Sequence, residues 1–222
     1  MRQGVKRIFD MVASGLGLIV LFPLLLLVAV WIKLDSKGPV FFMQQRAGQQ
    51  AQPFKIYKFR TMLHRPSEAI NQHQEQVVSA GHDPRITRAG RFIRATSLDE
   101  LPQLINIFKG DMSVVGPRPV LIEQTEVVPP SYKKRFSVRP GLTGLAQVKG
   151  RRSLGWLQQL AYDAEYVDKY SLALDLKILL LTVKVVLTGG GIYGEPGLNW
   201  RTYRDRLNGQ PPQDSDVEEA MR

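Results

Sequence analysis

At 222 residues, 44% apolar and 23% charged, the chain has a globular composition and is long enough for one domain plus an appendage. There is no cysteine, which excludes disulfides, zinc–thiolate sites and thiol nucleophiles; the three histidines (His64, His73, His82) share one polar stretch, against a His-rich metal centre. The net charge of +10 is uneven: Asp214, Asp216, Glu218 and Glu219 against Arg222 give residues 214–222 a charge of −3, so residues 1–213 carry +13 and require an anionic partner such as nucleic acid, acidic lipid or a phosphorylated substrate.

In chain order, the first feature is a run of 22 uncharged, mostly apolar residues, Met11 to Ile32. At about 1.5 Å per residue it is long enough to cross a bilayer core of about 30 Å. Basic residues flank it on both sides: Arg2, Lys6 and Arg7 before, Lys33 and Lys37 after. Trp31-Ile32-Lys33 is a poor signal-peptide cleavage site. A buried core helix, a spanning helix and a re-entrant hairpin compete, and the hairpin alone accounts for both Pro23 and the symmetric flanks. Proline removes a helical hydrogen bond and kinks or breaks the helix, and the positive-inside tendency places both ends in the cytoplasm. Residues 1–37 are therefore expected to form a re-entrant helix-break-helix on the membrane.

Phe54 to Met62 predicts a strand, aromatic-rich with an alternation that changes phase near Tyr57. Residues 63–84, with Pro66, Gly81 and Pro84, predict a long loop. The nine-residue spacing of its histidines does not suit a metal-binding helix. A helix is predicted from Asp99 to Lys109, with Leu101, Leu104, Ile105 and Phe108 on one face and Gly110 as its stop. Ser113 to Val115 predicts a short strand entering the rigid turn Gly116-Pro117-Arg118-Pro119. Leu154–Tyr170 and Leu172–Leu187 predict helices, the second apolar enough for the core or a membrane interface. The acid- and Pro-rich residues 209–222 predict a disordered tail. There is no internal repeat. The expected fold is α+β, predominantly helical with a small sheet, its catalytic domain spanning residues 38–208.

Two motif matches carry nothing. Gly189-x-Gly191-x-x-Gly194 lacks the strand-turn-helix context of a dinucleotide site. Asp214-Ser215-Asp216, which resembles a glycosyltransferase metal pair, lies in the acidic tail.

Chemistry concentrates at Asp99-Glu100. A capping role is available, since Ser97 and Glu100 fit a capping box and Pro102 suits a first turn. The neighbours point further. A helix N-terminus stabilises an anion, so Asp99 is expected to be an ionised nucleophile. Glu100 offers a hard oxygen for Mg²⁺, which takes few protein carboxylates and fills its shell with water and phosphate. Lys58, Arg94, Arg118 and Arg151, close in sequence or in rigid turns, could neutralise a diphosphate. Carboxylates, a metal and several cations together suit phosphoryl transfer.

Four segments carry a family resemblance: Lys58-Phe59-Arg60-Thr61-Met62; Thr96-Ser97-Leu98-Asp99-Glu100-Leu101-Pro102-Gln103; Gly110 to Pro119; and Arg139-Pro140-Gly141-Leu142-Thr143-Gly144-Leu145-Ala146-Gln147-Val148-x-Gly150-Arg151. In this order they resemble the bacterial sugar transferases, the small monotopic phosphoglycosyl transferases that start surface-glycan assembly, over about Lys6 to Leu187. The resemblance implies a two-step, Mg²⁺-dependent reaction. Asp99 attacks the β-phosphate of a UDP-sugar, expelling UMP, and polyprenyl phosphate, usually undecaprenyl phosphate, then takes the phosphosugar.

It implies that Glu100 binds the metal beside Asp99, and that Lys58, Arg94, Arg118 and Arg151 lie near the substrate phosphates. It also implies a bacterial inner-membrane location with the catalytic domain on the cytoplasmic face, the bilayer and downstream glycosyltransferases as partners, and no nucleic acid. The family's re-entrant helix often breaks at Ser-Pro, where this chain has Phe22-Pro23. A membrane-tethered nucleic-acid binder would suit the charge but leaves the Asp-Glu dyad unexplained. An inactive scaffold does not fit the intact dyad and Lys58.

Overall fold

The computed structural model of the chain describes residues 2–65, 83–150, 153–188 and 199–209. It is mostly helical with two small two-stranded sheets. A long helix, α1 (Arg2–Asp35), leads into an antiparallel hairpin of β1 (Phe41–Ala47) and β2 (Pro53–Phe59). Then come α2 (Arg88–Ala95), a 3-10 turn over Leu98–Glu100, and α3 (Gln103–Lys109). Strands β3 (Ser113–Val115) and β4 (Gly141–Thr143) pair in parallel across two 3-10 segments, Ile122–Glu126 and Pro130–Ser137. The chain continues through α4 (Leu145–Lys149), α5 (Trp156–Asp168), α6 (Leu172–Thr188) and α7 (Trp200–Gly209).

α1 is the one helix among the described residues that is long and apolar enough to cross a membrane, and only 11% of its most apolar stretch is buried. It extends beyond the predicted run because its polar ends find partners on the domain. Lys6 donates to Asp175 in α6, and Arg7 donates to the carbonyls of Ile107 (2.6 Å) and Phe108 (2.7 Å), satisfying the C-terminal end of α3. Asp10 accepts from the Val114 amide at 3.0 Å. At the other end Val28 and Ile32 are buried with Phe59, Ala89 and Ile93, and Asp35 accepts from the Ala89 amide at 3.0 Å. Both ends of α1 thus lie against the same domain. The helix runs on through Pro23 as a single element, and the expected break there is not confirmed. One lost backbone bond per proline leaves the flanking turns free to continue.

The predicted strand Phe54–Met62 is realised as β2, ending at Phe59, with Met62 making an isolated bridge to Ile86. Its change of phase has a packing cause. Ile56 packs with Leu104, Ile107 and Met112 on one face, and Phe59 packs under α1 and α2 on the other. Asn106, fully buried in α3, joins the two elements: its side chain accepts from the Tyr57 amide (3.0 Å) and donates to the Lys55 carbonyl (2.8 Å). The two predicted C-terminal helices appear as α5 and α6. α6 buries Asp175 and Ile178 and exposes Leu172, Leu176, Leu180, Val183, Val186 and Leu187. Gly209 closes α7, and the rest of the predicted tail lies outside the described residues, as do most of the predicted 63–84 loop and both discarded motifs.

Candidate active site

The predicted helix from Asp99 is interrupted. Asp99 and Glu100 occupy the 3-10 turn Leu98–Glu100, and α3 starts only at Gln103. Ser97 makes no side-chain cap; it sits in the left-handed region at φ 58°, a conformation a non-glycine residue adopts only when its surroundings hold it there. The capping-box reading therefore fails. Glu100, its second member, is drawn away to two cations instead.

Each of those cations has a local reason for its position. Side chains alternate along a strand, so Lys58 shares a face of β2 with Ile56 and reaches over the 3-10 turn, where its Nζ donates to Glu100 Oε1 at 2.7 Å. Arg118 follows β3 in the turn bounded by Pro117 and Pro119, and its Nη2 donates to the same Oε1 at 2.6 Å. The motif segments around Arg118 and Gly141 meet here: Gly116 N–H donates to Thr143 O at 2.9 Å and Gly141 N–H to Pro117 O at 2.8 Å. A Cβ on Gly141 would come within 2.1 Å of the Gly116 nitrogen, so the two backbones approach as only glycine permits. Arg94, in the last turn of α2, has its Nη1 3.4 Å from Thr61 Oγ1 and acts electrostatically on Asp99.

The electrostatics separate the two carboxylates. Burial works against the Glu100 anion, but Arg118 and Lys58 more than offset it and hold the carboxyl far below the usual range. Burial pushes Asp99 up; Glu100 adds to the rise, while Lys58, Arg94 and Arg118 oppose it. This corrects the expectation of a carboxylate stabilised by a helix N-terminus, since no α-helix begins at Asp99. Burial lowers Lys58 against the pull of Glu100, and Glu100 raises Arg118. Asp99 receives no hydrogen bond from the described residues. Glu100 is thus the anchored member of the dyad and Asp99 the unengaged one.

No cluster of three or more His, Cys, Asp or Glu able to hold a metal occurs among the described residues. Magnesium requires less, since one or two carboxylates and substrate phosphates complete its shell. Both hydrogen bonds to Glu100 end on Oε1, so Oε2 and the Asp99 carboxylate remain as donors. That set fits one such ion.

The structure thus brings together Asp99, Glu100, Lys58, Arg94 and Arg118. Arg151 lies outside the described residues, and Pro23 lies within α1, remote from this group in sequence. Two buried residues behind the site, Arg135 and Asp163, had no signal in the sequence. Arg60, beside Lys58 in the same motif, faces elsewhere and donates to Pro39 O, Ser36 O, Ser36 Oγ and Lys37 O, closing the turn after α1.

A two-carboxylate centre ringed by cations, on a domain carrying a helix long and apolar enough to cross a membrane, is an arrangement suited to binding phosphorylated groups. Residues 1–189 match the bacterial sugar transferase family, and the chain belongs to it. It is 42% identical over 188 residues to an uncharacterized sugar transferase, EpsL, of Bacillus subtilis, covering 85% of this chain and 90% of that one. It is 45% identical over 196 residues to a UDP-glucose:undecaprenyl-phosphate glucose-1-phosphate transferase of Caulobacter vibrioides, covering 85% and 72%. It is 40% identical over 200 residues to an undecaprenyl-phosphate galactose phosphotransferase of Salmonella typhimurium, covering 85% of this chain and 42% of that longer protein.

Proposed function

We propose that this chain is a phosphoglycosyl transferase that moves a sugar 1-phosphate from a UDP-sugar to polyprenyl phosphate, releasing UMP and starting the assembly of a surface glycan. The observation that carries the reading is the division of labour in the dyad: Glu100 is locked between Lys58 and Arg118 while Asp99 beside it stays unbonded. In the first step an Asp99 oxygen forms a bond to the β-phosphorus. The bond from that phosphorus to the bridging oxygen breaks, and UMP leaves with the oxygen. In the second, an oxygen of polyprenyl phosphate bonds to the same phosphorus and the Asp99 carboxylate departs. Lys58, Arg94 and Arg118 neutralise the diphosphate, and Arg151 belongs to the same set by its motif. Asp99 and Glu100 would hold Mg²⁺, which when bound supplies charge neutralisation and in-line orientation. Burial keeps the Asp99 anion poorly solvated, which favours its attack once these charges are in place.

The membrane part of the reading is a monotopic anchor with the catalytic domain on the cytoplasmic face of the inner membrane. In its support, Lys6–Asp175 and Asp35–Ala89 tie both ends of α1 to one domain, so both ends share one side of a bilayer. α1 has 34 residues, about 51 Å at 1.5 Å per residue and continuous through Pro23 here, so to enter lipid and leave by the same face it would have to bend, and Pro23, which lacks a helical hydrogen bond, is where it would do so.

The test is UMP release from UDP-glucose and UDP-galactose with undecaprenyl phosphate, and mass spectrometry of enzyme quenched without lipid acceptor. A phosphosugar adduct on the peptide carrying Asp99 is expected. UMP release with no adduct on a single-turnover timescale would favour direct attack by the lipid phosphate.

A further inference from the structure

Beyond the dyad lies a buried pair of charges that the mechanism does not use. Arg135, in the 3-10 segment Pro130–Ser137, and Asp163, in α5, have side chains 2% and 3% exposed. The Arg135 guanidinium donates from Nε (3.1 Å) and Nη2 (2.7 Å) to Asp163 Oδ2. Its Nη2 also donates to the backbone carbonyl of Arg118 at 2.6 Å. A buried ion pair that only tied α5 to the 3-10 segment would require the first two bonds alone. The third ends on the residue whose side chain holds Glu100.

We infer that Arg135 and Asp163 are positioning residues that fix the Arg118 backbone, and so aim the Arg118 guanidinium at Glu100. The inference rests on the proposed function. Arg118 lies between Pro117 and Pro119, so it has a fixed ring on each side, and the proline after it confines it to extended backbone. What remains to be set is the position of this stiff turn as a body. The turn is held on one side by Gly141 N–H to Pro117 O (2.8 Å) and on the other by Arg135 to Arg118 O. Asp163 fixes the plane of the Arg135 fork; a planar guanidinium serves a carboxylate and a carbonyl at once, which a lysine ammonium does with no such directional constraint. Movement of the turn by about 1 Å would take Arg118 from Glu100 and leave that carboxylate with Lys58 alone.

The test is a double-mutant cycle on UMP release from a UDP-sugar, with thermal midpoints alongside. Asp163→Asn and Arg135→Lys, each in the otherwise unaltered chain, should lower kcat by about tenfold to a hundredfold, the size of effect a 1 Å misplacement produces. In an Arg118→Ala background the same substitutions should change the residual rate by less than about twofold, because there is no guanidinium left to aim. Losses of equal size in both backgrounds would overturn the relay and leave the pair a structural tie. So would full activity of both single variants. Should Asp163→Asn fail to fold, Arg135→Met/Asp163→Leu removes both charges together and avoids a lone buried ion; it should keep its fold, lose the same rate, and show the same indifference once Arg118 is gone. An unaltered chain that releases no UMP from any UDP-sugar would instead overturn the proposed function itself, a result distinct from an active enzyme whose Asp163 effect survives without Arg118.

Discussion

Asp99→Asn separates a structural from a chemical role for the dyad more sharply than any other change. Asp99 caps no helix and receives no hydrogen bond from the described residues, so an isosteric amide removes no contact. Burial raises its carboxyl in the folded state. A group raised in this way favours folding below its unfolded value, near 3.8, and that contribution is lost as pH rises through the folded value. At neutral pH the Asp99 charge therefore opposes folding, and Asn relieves it. We expect the Asn variant to match or exceed the parent by up to about 1 kcal/mol, roughly 2–4 °C in midpoint for a chain of this size. That advantage should disappear in acid, where the parent carboxyl is itself neutral. Turnover should fall by about 10⁴-fold or more, because an amide cannot form the acyl phosphate. Thermal unfolding in detergent across pH and a UMP-release assay check the two halves. A midpoint lowered by more than about 5 °C, or turnover within about tenfold of the parent, would refute the reasoning.

Glu100→Gln leaves Lys58 and Arg118 without their shared anion and should cost about 2–4 kcal/mol, discounted for the partial exposure of the group. Glu100 is depressed in the fold, so its contribution is present above about 4.5 and lost as pH falls; the deficit of the Gln variant in thermal midpoint should shrink below that pH. Asn106→Leu strands the Tyr57 amide and the Lys55 carbonyl in the interior and should lower stability by about 2–4 kcal/mol in chemical denaturation; an unchanged midpoint would show that water replaces the amide. Chelation of divalent cations should abolish UMP release and added Mg²⁺ restore it, and a rate indifferent to chelator would remove the metal from the mechanism. Cysteines at positions 3 and 37 should both resist a membrane-impermeant thiol reagent in intact cells, whereas labelling of position 3 alone would mean a spanning helix.

What the sequence disclosed is what local rules govern. Alternation in Phe54–Met62 marks a strand, and that strand places Lys58 on the face of Ile56, toward the dyad. The prediction of Leu172–Leu187 fell within one residue of α6, because a long apolar run between polar breaks has few alternatives. The helix predicted from Asp99 broke for a reason that only tertiary contacts supply. Lys58, 42 residues away in sequence, and Arg118, 18 residues away, take Glu100 out of its capping role. β1, α2, β4, α4 and α7 went unpredicted; most are short and take their form from what they pack against.

The partners of α1 show the same limit at longer range, and they bear on function. Lys6 and Asp175 are 169 residues apart, and each alone reads as an ordinary charge near an apolar helix. Together with Tyr166, whose hydroxyl donates to Asp175 Oδ1 at 2.7 Å and lies 3.1 Å from the Val115 carbonyl oxygen, they tie the start of α1 to the strand that delivers Arg118. The tie is buried, and so are Arg135 and Asp163. Charge is costly to bury and persists only where geometry compensates it. In this chain those compensated charges sit at the junctions between α1, the β3 turn and the carboxylate dyad. On the proposed function, a lipid-borne acceptor would require these cations to be held at a fixed place relative to the membrane, and these junctions would supply that registration.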